Sequence, residues 1–218
     1  MHLLIAAAGS GRRMGADRNK LLLPLLGRPL IAWTVDAALT ATEISWIGIV
    51  GQDIDRVEIL DALGSVKKPL VWIQGGATRQ ESVLRGLRHL QSQPPDRVLI
   101  HDAARPFVDH GLIERVLAGL DSHGGAVPAI PVTDTLKAVT DGVIDETVDR
   151  SRLWRVQTPQ GFRYREILAA HEAAAGLQMT DDAAVAEHVG LSVAIVDGDS
   201  DNMKITRAED LKMTELPG

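Results

Sequence analysis

Cysteine is absent from the 218 residues. That excludes disulfides, thiolate nucleophiles and cysteine-held zinc or iron–sulfur centres, and it fits a reducing, cytoplasmic setting. Aromatic residues make up only 3%, too few for a base-stacking surface. Positive charge is not in excess either. The 23 Lys and Arg against 29 Asp and Glu leave a net charge of −6, so there is no broad basic footprint and no nucleic-acid partner is expected. No apolar run reaches the length of a membrane span, and no membrane partner is expected. The first apolar run has no basic region before it and leads straight into glycine and arginine, which is not how a secretory leader is built. What is present is 45% hydrophobic residues, enough for a full core. The length predicts a single domain over 1–218.

The chain is organised around its first stretch, Leu3-Leu4-Ile5-Ala6-Ala7-Ala8-Gly9-Ser10-Gly11-Arg12-Arg13-Met14-Gly15, with Lys20 just beyond. Its apolar start, unbroken by polar residues, reads as a strand buried on both faces. The loop that follows has glycines at 9, 11 and 15. Such a loop brings backbone N–H groups close to an anion, and Arg12, Arg13 and Lys20 supply neutralising charge. The pattern points to a nucleoside triphosphate. It is not a Walker loop, which needs Gly-x-x-x-x-Gly-Lys-Ser/Thr. Nor is it a dinucleotide fingerprint, because the third glycine is one residue late and two arginines fill the space where a helix would pack on the strand. The same residues also read as a plain strand-to-helix turn with solvated arginines.

Further on, Arg28-Pro29-Leu30 opens a helix with Ile31, Val35, Ala38 and Leu39 on one face, the proline suited to a helix start. Ile44 to Val50 is a β-branched strand, followed by a weaker helix over Ile54 to Leu63. Leu70-Val71-Trp72-Ile73 is a short strand ended by Gly75-Gly76. Thr78-Arg79-Gln80-Glu81 has the form of a capping box, opening a helix with Val83, Leu84, Leu87 and Leu90 at helical spacing. Arg97 to Ile100 is a strand that runs into His101-Asp102-Ala103-Ala104-Arg105-Pro106. Ile113, Val116, Leu117 and Leu120 mark the next helix, and Gly125 to Val132 the next strand. Leu153 to Val156 reads as a strand and Tyr164 to Ala175 as a helix. Thr180 reads as the cap of another, with Asp181 and Asp182 in its first turn. Ser192 to Val196 is a late strand, and Thr206-Arg207-Ala208-Glu209 starts the last helix. This alternation predicts an α/β fold: a single Rossmann-like, doubly wound, mainly parallel sheet. Ligands of such sheets bind beyond the C-terminal ends of the strands, where the first loop, Gly75-Gly76 and His101-Asp102 all fall.

Residues 132–149 break the pattern. Two polar strands flank Asp141-Gly142, a strong hairpin signal. Since a lone two-stranded ribbon is marginal in water, the expectation is a projecting β-hairpin arm that packs on a second copy in a homodimer. The residues also support a limited chemical reading. Asp102 at a strand end suits a carboxylate holding Mg²⁺ against phosphate oxygens, although it reads equally as a helix cap or a solvated group. Arg13, Lys20 and Lys204 suit stabilisation of charge on a reacting phosphate. No catalytic thiol and no Ser–His–Asp signature competes for that role.

Taken together, Ala7-Ala8-Gly9-Ser10-Gly11-Arg12-Arg13-Met14 with Lys20, then Gly75-Gly76, His101-Asp102-Ala103-Ala104-Arg105-Pro106, Asp134-Thr135-x-Lys137, Thr147-Val148-Asp149-Arg150, Thr158-Pro159-Gln160, Thr180-Asp181 and Asn202-x-Lys204 resemble the 2-C-methyl-D-erythritol 4-phosphate cytidylyltransferase family over essentially the whole chain. The resemblance implies that CTP and the sugar phosphate give a cytidine-diphosphate methylerythritol and pyrophosphate, on the non-mevalonate route to isoprenoids, by in-line attack on the α-phosphorus. It implies that Ala7, Ala8, Gly9, Ser10 and Gly11 wrap the nucleotide phosphates, with Arg13, Lys20 and Lys204 as the catalytic cations. Asp102 would ligate Mg²⁺, and Gly76 and Ser82 would recognise cytosine. Arg105, Thr158 and Thr180 would line the sugar-phosphate site, while Thr135 and Arg150 reach the partner's site from the arm. Some relatives carry a carboxylate after the paired glycines where this chain has Ala77, so cytosine selectivity rests on backbone groups and pocket size. The nearest rival is a cytidylyltransferase for another polyol phosphate, such as ribitol 5-phosphate.

Overall fold

The computed structural model describes residues 1–9 and 19–213. The first strand, β1 (His2–Ala6), sits near the middle of an eight-stranded sheet. It pairs in parallel with β4 (Trp46–Gly51) on one side and β6 (Arg97–Asp102) on the other. Outside β4 lies β5 (Leu70–Gln74), also parallel. Helices α1 (Leu30–Thr40), α2 (Arg56–Leu63), α3 (Arg79–His89) and α4 (His110–Gly119) intervene between these strands or follow β6.

The unbroken apolar character of β1 has the meaning expected of it. Leu3 and Ile5 join one buried cluster with Leu30, Ile31, Val35 and Leu112, while Leu4 joins the other with Val83, Leu87 and Phe162. Alternate side chains thus enter two separate apolar layers, and all three are at most 3% exposed. Burial of both faces is the driving force that fixes a parallel strand at the centre.

Beyond β6 the sheet departs from the simple alternation. β7 (Gly125–Pro131) is followed by β8 (Leu136–Thr140), β9 (Val143–Val148), β10 (Trp154–Val156) and β11 (Gln160–Arg163). β11 inserts antiparallel between β6 and β7, and β10 pairs antiparallel with the far end of β7. After α5 (Tyr164–Ala173) and α6 (Asp182–His188), β12 (Val193–Asp197) pairs in parallel with the other edge of β7. The last helix is α7 (Ala208–Met213). The sheet is therefore mainly parallel, as expected, with two antiparallel strands, β10 and β11, of which the sequence pattern did not announce β11. A further small ribbon joins β2 (Pro24–Leu25) to β3 (Arg28–Pro29), so Arg28 and Pro29 precede α1 rather than open it.

The arm is a separate two-stranded sheet of β8 and β9. Asp141 and Gly142 both have positive φ, +50° and +81°, which is the turn that an Asp-Gly pair favours. Val139, Val143 and Ile144 are all more than half exposed, so the arm presents apolar side chains that this chain does not cover.

Three caps differ from the expected ones. Thr78 accepts from the Glu81 N–H, but Glu81 Oε2 takes the Ala77 N–H at 2.8 Å and not that of Thr78. Asp181, not Thr180, caps α6 by accepting from the Ala184 N–H at 2.9 Å. Asp182 is then the first residue of α6 and pairs with Arg79. At the last helix Asp210, not Glu209, supplies the carboxylate: its Oδ2 accepts from the backbone of Thr206 and Arg207.

Candidate active site

Four of the parallel strands deliver their C-terminal ends to one side of the sheet. There, a cavity of about 520 Å³ opens, within the range of about 300–1,000 Å³ usual for small-molecule sites. Ala6, Ala7, Ala8 and Gly9 wall it after β1, Gly76 to Arg79 after β5, and Asp102 to Ala104 after β6. Lys20, Leu21, Ser82, Lys204 and Thr206 complete the lining.

Lys20, Asp102 and Lys204 therefore share one cavity with the described part of the first loop. Ser10, Gly11 and Arg13, also expected there, lie outside the described residues. Lys20 is held by a bond from Nζ to the carbonyl of Ile205 at 3.1 Å. Lys204 Nζ donates to Asp102 Oδ2 at 2.6 Å, and Arg79 Nε to Oδ1 at 3.2 Å. Burial alone would raise the Asp102 carboxyl, but Arg79 and Lys204 outweigh it and hold the group well below the usual carboxylate range. Among the described lining residues, three cations face one carboxylate. That balance favours a ligand with several negative charges.

A second layer fixes Asp102 from behind. Its backbone N–H donates to Thr158 Oγ1 at 3.0 Å, and that hydroxyl lies 2.9 Å from His101 Nδ1. His101 Nε2 lies 3.0 Å from the carbonyl of Arg105. A carbonyl can only accept, so Nε2 carries the proton and Nδ1 accepts from Thr158. Burial pushes the His101 imidazole down to about 4, consistent with that neutral tautomer. Thr158 thus positions the strand end with its hydroxyl and does not line the cavity.

The paired glycines follow a similar logic. The Gly76 N–H donates to Ser82 Oγ at 3.0 Å, and Ser82 donates to the carbonyl of Thr78 at 2.7 Å. Gln52 Nε2 holds the Gly76 carbonyl at 2.8 Å. A Cβ at position 75 would stand 2.8 Å from Ala8 Cβ, and one at 76 would stand 2.4 Å from Glu81 Cδ. Side chains are excluded there because first loop, second loop and helix meet at van der Waals contact. Ser82, fully buried, is what ties α3 to the loop.

The remaining expected residues are not brought into the cavity. Arg105 donates from Nη1 to the carbonyl of Asn202 at 2.7 Å, which links the loop after β6 to the segment carrying Lys204. Thr180 is exposed, beside the α6 cap. Thr135 and Arg150 are exposed at the base of the arm, with Arg150 3.3 Å from the carbonyl of Val132. One residue that sequence reasoning passed over is central. Arg79, read only as part of a capping box, lines the cavity and bridges Asp102 to the buried Asp182 at 2.7 Å. Asp182 also meets His171 at 3.1 Å. No local spacing marks a link of 103 residues. The only usable signal was a cation shortly after the glycine pair. Elsewhere, Glu43, His110 and Glu114 stand close enough to share an ion, but none of them lines the cavity.

A doubly wound sheet with a cation-lined cavity at its strand ends defines a nucleotide-binding α/β protein. The family model described as IspD: 2-C-methyl-D-erythritol 4-phosphate cytidylyltransferase matches residues 1–216, and the chain belongs to that family. It is 62% identical to the 2-C-methyl-D-erythritol 4-phosphate cytidylyltransferase of Synechococcus sp. (strain CC9902), over 99% of this chain and 96% of the relative. Its counterpart in Parasynechococcus marenigrum (strain WH8102) is 55% identical over the same shares. Among solved structures, a 4-diphosphocytidyl-2C-methyl-D-erythritol synthase from Anaerococcus prevotii superposes with a TM-score of 0.85 at 30% identity, covering 98% of this chain and 95% of that one. The 2-C-methyl-D-erythritol 4-phosphate cytidylyltransferase of Thermus thermophilus gives 0.78 at 36% identity, covering 98% and 96%. Among the described residues no helix is long and apolar enough to cross a membrane.

Proposed function

We propose that this chain joins CTP to 2-C-methyl-D-erythritol 4-phosphate, giving 4-diphosphocytidyl-2-C-methyl-D-erythritol and pyrophosphate in isoprenoid biosynthesis. The observation that carries the reading is the meeting of Lys20, Asp102 and Lys204 in one cavity with the loop after β1, in a member of this family. The sugar-phosphate oxygen attacks the α-phosphorus in line, and pyrophosphate leaves. The attacking phosphate is already ionised near neutral pH, so no general base is required. Lys20 and Lys204, with Arg13, stabilise the charge that grows on the α-phosphate. The amides of Ala7 to Gly9, continuing through Ser10 and Gly11, cradle the phosphates. Gly76 and Ser82 form the base-facing edge. Ser82 Oγ gives its hydrogen to Thr78 and keeps a lone pair beyond the bond from Gly76.

Asp102 is the residue to hold Mg²⁺. A single ionised carboxylate beside space for a triphosphate fits a hard cation that takes most of its ligands from phosphate oxygens and water. Bound there, the ion supplies charge neutralisation at the phosphates. On the sugar side we assign Arg105 and Thr180, with Thr158 contributing through its hold on the Asp102 strand end and Thr135 and Arg150 completing the partner's site across a homodimer formed by the arm (132–149). The whole chain, 1–218, acts as one nucleotidyltransferase domain, and its lack of cysteine fits a cytoplasmic enzyme.

The test is pyrophosphate release from CTP and Mg²⁺ with each sugar phosphate in turn. Turnover with 2-C-methyl-D-erythritol 4-phosphate is expected. Turnover with ribitol 5-phosphate alone would overturn the assignment.

A further inference from the structure

We propose that Arg79 keeps Asp102 closed to divalent cations until a triphosphate enters the cavity, so that metal binding is conditional on nucleotide. The proposal rests on the nucleotide reading above and adds to it a positioning residue that the family resemblance did not supply.

Both oxygens of the Asp102 carboxylate are already taken by cations, Oδ1 by Arg79 and Oδ2 by Lys204. The side chain is only 11% exposed. A dication approaching it meets two positive groups on the very atoms it needs, and at these distances the repulsion is large. The two cations are not equivalent. Lys204 is 41% exposed on a flexible stem and can swing aside. Arg79 is more restrained, because its Nη2 is bound to Asp182, whose side chain is fully buried and also bonded to His171. That anchor aims Nε at Asp102. Arg79 is thus the more restrained half of the closure, held over Asp102 until a stronger anion draws its Nε away.

Arg79, Lys204 and Lys20 line the same cavity. A triphosphate placed there offers the cations more negative charge than one carboxylate does, and it competes Lys204 and the Arg79 Nε away from Asp102. The guanidinium can turn while its second nitrogen stays on Asp182, because its several N–H groups serve separate acceptors. The carboxylate is then released to a cation that the phosphates themselves help to bind. A metal without nucleotide gains no such help.

The experiment titrates Mn²⁺ into metal-free protein and counts free ion by electron paramagnetic resonance, with and without α,β-methylene-CTP. The wild type should take up no Mn²⁺ in the sub-millimolar range alone, and one ion per chain once the analogue is added. Removing Arg79 alone would strand a buried carboxylate, so the informative variant pairs Arg79→Gln with Asp182→Asn. Without nucleotide it should bind Mn²⁺ about tenfold or more tightly than the wild type, and adding Asp102→Asn should abolish the gain. Arg79→Lys, which keeps the charge, should restore exclusion. A merely structural Arg79 would move none of these readings. Nucleotide-free Mn²⁺ binding by the wild type at a site lost in Asp102→Asn would overturn the proposal. So would a double variant whose affinity stays within about twofold of wild type. Failure of the analogue itself to bind would instead overturn the nucleotide reading.

Discussion

Lys20 reaches across 185 positions of sequence to bond the carbonyl of Ile205, and that tether sets its charge on the cavity wall. In the proposed reaction that charge counts most in the transition state, where negative charge builds at the α-phosphate. Lys20→Ala should therefore lower kcat by about two to three orders of magnitude, while CTP affinity falls by less than about tenfold. Steady-state rates beside calorimetric titration separate the two. His101 gives a second expectation. The unfolded chain takes up a proton on this ring near 6.5 and the folded one near 4. Between those values the unfolded state binds more protons, so stability falls as pH falls through this window. The loss amounts to about 3 kcal/mol for this fully buried group. Urea unfolding in chelator from pH 7 to pH 4 should cost the wild type more than His101→Gln by roughly that amount. At this scale the site was partly legible. Lys20, Asp102 and Lys204 announced themselves because chemistry-bearing side chains followed strand ends. Arg79 did not, because its partners Asp102 and Asp182 are remote in sequence.

The elements were most legible where burial on two faces left an unbroken apolar run, as in β1, or where a helix stripe and cap agreed, as in α3. β11 escaped because Gln160-Gly161-Phe162-Arg163 shows no alternation. Gln160 is only 1% exposed yet polar. Its amide is satisfied by Asp181 and by the Ala183 N–H, so burial here answers a helix cap and not hydrophobicity. The β2–β3 ribbon escaped for another reason. Its two-residue turn, Leu26-Gly27, has positive φ at both positions, +49° and +78°, where asparagine would be the usual first residue. Leucine in that conformation costs about 1 kcal/mol, and its side chain is 49% exposed. Leu26→Asn should raise stability by about 1 kcal/mol, seen as a higher urea midpoint with an unchanged slope.

For the whole molecule, the arm is the feature a single chain leaves unfinished. Val139, Val143 and Ile144 stand exposed on a two-stranded ribbon, and such a ribbon is weak without a partner. The proposed homodimer should sediment as a dimer in the wild type and as a monomer in Val143→Asp with Ile144→Asp, read by sedimentation velocity. The double substitution should also lower kcat/KM for the sugar phosphate, because in the proposed homodimer Thr135 and Arg150 complete the neighbouring site. The cavity has its own consequence for the history of each molecule. One wall is laid down by Ala6 to Gly9, whereas Lys204 and Thr206 come from a segment made much later, after β12. During translation, most of the sheet can form long before the last wall leaves the ribosome. A chain halted short of Asn202 would lack Lys204 and Thr206 of that wall, so full ligand capture waits on the segment made after β12.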